Sequence, residues 1–181
     1  RILEGQVGVQ QEDDTKLDLL FRAAELYIET LDQPDRGVRA LERVRQMEPN
    51  NERAARILEP IYSAGKDFRK LVDILTVLLA AESDPEARSD LMARLAEMSE
   101  SQLRNPMAAF DWLRQVVQET PNRSSARADL IRLGETMDQW GMVHDTLSEV
   151  LPQIESDEDR LEILLTLGKI LEDEMASFDE A

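Results

Sequence analysis

Apolar side chains recur along this chain at steps of three and four residues, which places them on one face of an α-helix. The first stripe runs from Leu17 to Leu31, and a second runs from Val38 to Met47 beyond a turn that contains Pro34. Two amphipathic helices joined by a short turn bury their apolar faces against each other, so the pattern predicts antiparallel helical hairpins. Helices are predicted at about 15–31, 34–47, 51–64, 67–81, 87–103, 106–119, 123–137, 139–154 and 157–174.

Polar residues mark the positions where several of these helices begin. Asn105 stands before Pro106, Asp84 stands before Pro85, and Asn50 or Asn51 stands before Glu52. Their side-chain oxygens can accept hydrogen bonds from the backbone N–H groups that a first helical turn leaves unpaired. Local signals therefore predict helix starts at these positions.

The hydrophobic pattern repeats with a period of 72 residues. A shift of that length places Pro34 on Pro106 and Phe68 on Trp140 without a gap. Each period holds two hairpins, and self-similarity at a fixed period is the signature of a helical array. Residues 1–14 are predicted to be the tail of a preceding hairpin or a frayed linker. The array is predicted over 15–181, with hairpins at about 15–49, 50–83, 84–121 and 122–156 and a truncated fifth from 157.

The first hairpin resembles the tetratricopeptide repeat. It carries the small and large residues that this family places in its two helices, and the proline that ends the second: Leu20, Ala23, Ala24, Tyr27, Gly37, Leu41, Val44 and Pro49. One extra residue separates the two halves of the pattern, and the second and fourth hairpins lack the terminal proline, so related helical arrays are an alternative. The resemblance implies an all-α fold, a right-handed α-solenoid (superhelix) of antiparallel helix hairpins.

Arrays of this family present a concave surface that is lined by the first helix of each hairpin. The resemblance places these candidate partner-binding residues on it: Asp18, Phe21, Glu25, Ile28, Arg53, Arg56, Asp90, Glu97, Arg132 and Lys169. Phe21 and Ile28 are expected to seat an apolar anchor of a partner. Glu25 and Glu97 are expected to favour a basic flank. The alternative for Phe21 is packing on a neighbouring helix, because its counterpart 72 residues later is the small Ala93.

The charge of the chain limits the classes of partner. Its 181 residues include 21 Lys and Arg against 38 Asp and Glu, a net charge of −17. Such a surface repels a phosphate backbone, so nucleic acid is not expected as a partner. No apolar run approaches the roughly 20 residues of a membrane-spanning helix, so membrane insertion is not expected. The expected partner is a protein or a peptide.

Side chains that could carry out catalytic chemistry are few. Cysteine is absent, which excludes disulfides and thiol nucleophiles but leaves the cellular compartment open. The single histidine, His144, lies beside Asp145, but no serine partner is specified and adjacent helix residues point about 100° apart. Acidic clusters at 157–159 and 172–174 lack the glycine and spacing of a calcium loop, and no glycine-rich phosphate motif occurs. We therefore expect no enzyme activity, no metal site and no cofactor.

These patterns lead to the hypothesis of a protein–protein interaction scaffold that binds a peptide or protein on its concave face. Two alternatives stay open: a structural spacer or self-assembly module, and a regulatory arm of a larger multidomain protein. The chain is expected to be a fragment of a longer protein. Its fifth hairpin is expected to expose an apolar stripe and to self-associate through that truncated end. The stripe consists of Leu161, Leu164, Leu167 and Leu171.

Overall fold

The computed structural model describes the backbone of residues 2–179 and the side chains of residues 13–172. Every regular element in that part of the chain is helical, which confirms the predicted all-α class. The helices are α1 (Ile2–Glu25), α2 (Pro34–Met47), α3 (Glu52–Ala64), α4 (Phe68–Ala81), α5 (Pro85–Ser101), α6 (Pro106–Glu119), α7 (Ser124–Met137), α8 (Trp140–Val150) and α9 (Asp157–Asp179). A short π-helix, Leu26–Thr30, continues α1, and a short 3-10 helix, Leu151–Gln153, continues α8.

The first and last helices are longer than predicted. α1 begins at Ile2, where the sequence predicts a tail or a frayed linker, and α9 continues to Asp179. The side chains of residues 1–12 and 173–181 lie outside the described part of the chain. Two members of the predicted acidic cluster at 172–174 fall among them.

The predicted helix starts are confirmed by their hydrogen bonds. The side-chain oxygens of Asn51, Asp84 and Asn105 accept from the backbone N–H three residues later, at 2.9, 3.0 and 3.2 Å. Asn51, and not Asn50, therefore caps α3. These bonds satisfy N–H groups that have no partner inside the helix, which fixes where each helix begins.

The backbone repeats with the 72-residue period of the sequence. α2 and α6 begin at Pro34 and Pro106, and α4 and α8 begin at Phe68 and Trp140. The helices therefore occupy the same register in both periods.

The turns between helices repeat with the same period. Asp32 and Arg104 precede α2 and α6 with left-handed φ angles of 49° and 53°. Lys66 and Asp138 precede α4 and α8 with φ angles of 54° and 55°. None of the four is glycine, although a left-handed backbone costs other residues roughly 1 kcal/mol or more.

The chain divides into two compact units, Arg1–Ala81 (unit 1) and Glu82–Ala181 (unit 2). In unit 1, α1 packs on α2, α3 packs on α4, and α2 contacts α3. In unit 2, α5 packs on α6, α6 contacts α7 and α8, α7 packs on α8, and α9 packs on α8. Sequential helices thus pair as hairpins within each unit.

Each unit encloses its own apolar core. The core of unit 1 includes these fully buried side chains: Leu41, Val44, Ala54, Ala55, Leu58, Ile74 and Leu75. The core of unit 2 includes Leu95, Ala109, Phe110, Val116, Val117, Leu130, Val143, Leu147 and Val150, also fully buried. Close approach of α7 to α8 depends on Gly134, where an added Cβ would overlap Cγ2 of Val143.

Candidate partner-binding groove

An open groove lies between α5 and α7 in unit 2, with a cavity volume of about 560 Å³. We call it the α5/α7 groove. Its walls include the small residues Ala93, Ala96, Ser125 and Ala126. Its charged lining consists of Asp90, Arg94, Glu97, Glu100, Arg123, Asp129 and Arg132. Three of the predicted partner-binding residues, Asp90, Glu97 and Arg132, therefore line one groove.

Arg123 forms the first ion pair in the groove, with Asp90. Its Nη1 atom lies 2.7 Å from Oδ1 of Asp90. The same nitrogen donates a hydrogen bond of 3.0 Å to the Ser89 hydroxyl, and Ser89 is fully buried. The guanidinium of Arg123 thus joins the start of α7 to α5.

Arg132 forms the second group of ion pairs. It donates two hydrogen bonds of 2.8 Å to the two carboxylate oxygens of Glu100, and two to Oδ1 of Asp129, at 3.1 and 3.2 Å. The hydrogen bonds from Arg132 lower the pKa of Glu100 below its ordinary value of 4.5. The hydrogen bonds from Glu100 in turn raise the pKa of Arg132. Both side chains are therefore charged at neutral pH. This bidentate ion pair is a second link between α5 and α7.

Glu97 lies on α5 between these two groups. Asp90 and Glu100 are about 15 Å apart along the helix axis, and Glu97 is one turn before Glu100. The Glu97 side chain is exposed and lines the groove. Among the side chains that the structure describes, none forms a hydrogen bond or ion pair with its carboxylate. That carboxylate is available to a ligand.

The equivalent place in unit 1 is closed. Phe21, the counterpart of Ala93, is only 5% exposed. The guanidinium carbon of Arg53 lies 4.2 Å from the centroid of the Phe21 ring, and Nη2 of Arg53 lies 2.7 Å from Oε1 of Glu25. The prediction that Phe21 is exposed and helps to seat an apolar anchor of a partner is therefore wrong. Its alternative, packing against a neighbouring helix, describes the observed arrangement.

Ile28 does not join Phe21 in an apolar patch. Its side chain is half-buried and lies against α2, where a Cβ added at Gly37 would overlap its Cγ1. Ile28 therefore fills the space that glycine leaves open. The predicted shared anchor of Phe21 and Ile28 is absent for this reason.

The remaining predicted residues are not among those that line the α5/α7 groove. Asp18 is exposed on α1, and Lys169 is exposed on α9. Arg56 pairs along its own helix with Glu52, at 2.8 Å. The side chains of all three residues are exposed and so accessible to a partner.

The sequence prediction misses nine of the twelve residues that line the groove, among them Glu100, Arg123, Ser125 and Asp129. One signal was present in the repeat. Two positions that hold large side chains in the first period, Phe21 and Arg53, hold Ala93 and Ser125 in the second. Loss of bulk at two facing positions predicts an opening between the helices that carry them.

Three further observations concern the histidine, metal ligands and the membrane. No group of three or more His, Asp or Glu side chains able to hold a metal ion occurs among the residues described. Nδ1 of His144 lies 3.4 Å from Oδ1 of Asp145, whose side chain is 83% exposed. Among the described helices, none combines the length and apolar character needed to cross a membrane.

Neither a family model nor a curated protein sequence matches the chain. The class defined by the described residues is an all-α array of helical hairpins. The likeness to the tetratricopeptide repeat stays a prediction from the residues that carry it.

Proposed function

We propose that the protein is an interaction module that binds an extended peptide or loop of a partner protein in the α5/α7 groove. The observation that carries the proposal is a groove in which the Glu97 carboxylate is available and lies between two arginine clusters. These are Arg123 with Asp90, and Arg132 with Glu100 and Asp129, whose side chains are already paired. Binding to ordered side chains loses less conformational entropy than binding to mobile ones. Peptide capture of this kind requires no catalytic residue.

A blocking substitution tests whether the groove is the binding site. Ser125 is an exposed wall residue, and Ser125→Trp places an indole where a ligand would lie. Peptides selected from a random display library on the unmodified protein should bind this variant about tenfold more weakly or worse, as expected from steric exclusion from the groove. Titration by fluorescence anisotropy measures the change.

Ser148→Trp is the matched control, because Ser148 is also an exposed serine of unit 2 but lies on α8. It should leave the affinity of the selected peptides unchanged. If the selected peptides bind the Ser125→Trp variant as tightly as the unmodified protein, the binding site is elsewhere and the proposal fails.

A second candidate function, self-assembly, is favoured by an exposed apolar face on α9. Four leucines on this face are 46–60% exposed: Leu161, Leu164, Leu165 and Leu171. The predicted stripe is wrong at Leu167, which is 8% exposed and lies on the inner face with Ile163 and Ile170. α9 has apolar residues on two faces, and the inner one packs on α8.

A complementary surface for this face exists at the other end of the chain. Leu19 and Met47, which are 59% and 39% exposed, line a groove between α1 and α2 with a volume of about 540 Å³. Lys16 and Arg43 form part of that groove, whereas Glu158 and Glu162 are exposed beside the leucines of α9. Opposite charges beside two apolar surfaces favour head-to-tail contact between copies.

Sedimentation velocity from micromolar to millimolar concentration should therefore show association that weakens when Leu161→Glu and Leu165→Glu are combined. The carboxylates would have to be buried unpaired in the contact, which is unfavourable. Leu31→Glu, at a leucine that is 46% exposed elsewhere on unit 1, is the control and should leave the association unchanged. A chain that stays monomeric throughout this range would contradict the self-assembly function.

A further inference from the structure

The α5/α7 groove has a counterpart in unit 1 that is occupied by the chain itself. The 72-residue period maps α5 onto α1 and α7 onto α3, and six of the twelve lining residues are identical to their counterparts. Glu97 corresponds to Glu25, and the wall residue Ala126 corresponds to Ala54. The two places therefore share a framework and differ in what fills it.

Two side chains fill the place in unit 1. The Phe21 ring occupies the space between the helices, and the Arg53 guanidinium stacks on that ring at 4.2 Å. The guanidinium also forms an ion pair with Glu25, at 2.7 Å. The Arg53 guanidinium thus makes a cation–π contact with the ring and a charge-assisted hydrogen bond with the carboxylate.

In unit 2 both of these side chains are missing. Ala93 stands where unit 1 has Phe21, and Ser125 stands where it has Arg53. The result is an open groove of about 560 Å³ beside Glu97. Unit 2 thus has the acidic group of the arrangement, Glu97, but lacks the aromatic ring and the guanidinium.

We infer that the α5/α7 groove binds a basic peptide segment that supplies the missing pair, an aromatic ring against Ala93 and an arginine against Glu97. This inference rests on the proposed function and adds the chemistry of the partner. Arginine fits better than lysine because its planar fork can pair with a carboxylate while its face stacks on a ring. The net charge of −17 also attracts a basic segment.

Arg123 and Arg132, which line the groove, do not favour an acidic ligand. Arg123 is already paired with Asp90, and Arg132 is paired with Glu100 and Asp129. An acidic ligand would have to displace one of these carboxylates and would lie near the negative charge of Glu97. A basic ligand leaves both clusters intact.

Short capped peptides test the inference directly. One set contains Phe and Arg in either order at several spacings in a Gly-Ser background, a second has Glu in place of Arg, and a third has Ala in place of Phe. The probe is the shift of the backbone amide signals of Ala93, Ser125 and Ala126 in NMR titrations. The Phe-Arg peptides should bind best, about tenfold more tightly than those with Glu, because a charge-assisted hydrogen bond is replaced by repulsion. Loss of the ring should weaken binding about fivefold.

Two variants of the protein extend the test. Ala93→Phe combined with Ser125→Arg gives unit 2 the pair that closes unit 1, and it should abolish binding of the Phe-Arg peptides without lowering Tm. Should that variant fold poorly, Glu97→Gln leaves the framework unchanged and should weaken the same peptides about tenfold. Glu25→Gln is its matched control, since Glu25 is already paired with Arg53, and it should leave peptide binding unchanged.

Each result decides between distinct conclusions. Tighter binding of the Phe-Arg peptides that is sensitive to Glu97→Gln and insensitive to Glu25→Gln supports the inference. If the Glu peptides bind as tightly and are blocked by Ser125→Trp, the basic ligand is wrong while the proposed function stands. Absence of any saturable shift at the groove amides also overturns the inference, and the library selection then decides separately whether the groove binds a peptide.

Discussion

Leu41→Ala is expected to lower the free energy of unfolding of unit 1 by about 2–5 kcal/mol, because the lost burial of the side chain adds to an unfilled cavity. Leu41 lies on α2, is fully buried, and belongs to a helix that contacts both α1 and α3. Urea denaturation followed by far-ultraviolet circular dichroism measures the change.

Leu31→Ala is the control for that measurement. Leu31 is 46% exposed, so its truncation should lower the free energy of unfolding by much less than Leu41→Ala does. A loss below about 0.5 kcal/mol for Leu41→Ala would contradict its place in the core.

Gly134→Ala is expected to destabilise unit 2 by about 1–3 kcal/mol, because the added methyl group overpacks the contact between α7 and α8. The new Cβ would overlap Cγ2 of Val143, which is fully buried. Valine on a helix has one strongly preferred rotamer, so it cannot turn away from the methyl group at low cost. Both tryptophans, Trp112 and Trp140, lie in unit 2, so their fluorescence reports its unfolding.

Two further substitutions separate this overlap from a general effect of alanine. Combining Gly134→Ala with Val143→Ala should cost less than the sum of the single changes, since truncating Val143 makes room for the methyl group. Gly168→Ala on α9, where an added Cβ meets nothing within 4 Å, should stabilise the helix by about 0.5–1 kcal/mol. Additive losses in the double variant would show that the overlap is not the cause.

The helix starts could be predicted from the sequence because the signals that set them are local. A capping side chain acts on an N–H only three residues away, and proline fits the first turn without losing a hydrogen bond. α2 and α6 accordingly begin at the predicted residues, Pro34 and Pro106. The left-handed turn residues could not be predicted in this way. Lys66 and Arg104 adopt a left-handed backbone conformation that residues with a Cβ rarely take, so their identity does not mark these turns.

Which side chains fill the place between the first and third helices of each period depends on contacts between helices. Periodicity alone does not specify those contacts. A helical stripe identifies the face on which Phe21 lies, but it does not reveal that Arg53 on α3 covers the ring while it pairs with Glu25. Likewise, α9 has apolar residues on two faces, and the sequence does not say which one packs on α8. The prediction for Leu167 failed for this reason, whereas Leu161 and Leu164 are exposed as expected.

In the α5/α7 groove the carboxylates of Asp90, Glu100 and Asp129 are paired with arginines, whereas that of Glu97 is available. This difference has a consequence for the kinetics of association. The net charge of −17 is expected to attract the proposed basic partner, so the first encounter should be fast and should slow as salt is added. The lifetime of the proposed complex is expected to depend instead on contacts made inside the groove, where a partner can pair with Glu97 while the ion pairs of Arg123 and Arg132 stay intact. We therefore expect exposed acidic residues outside the groove to affect mainly the association rate, and Glu97 to affect mainly the dissociation rate. Evolution could change the speed of partner search without changing how long the partner stays bound.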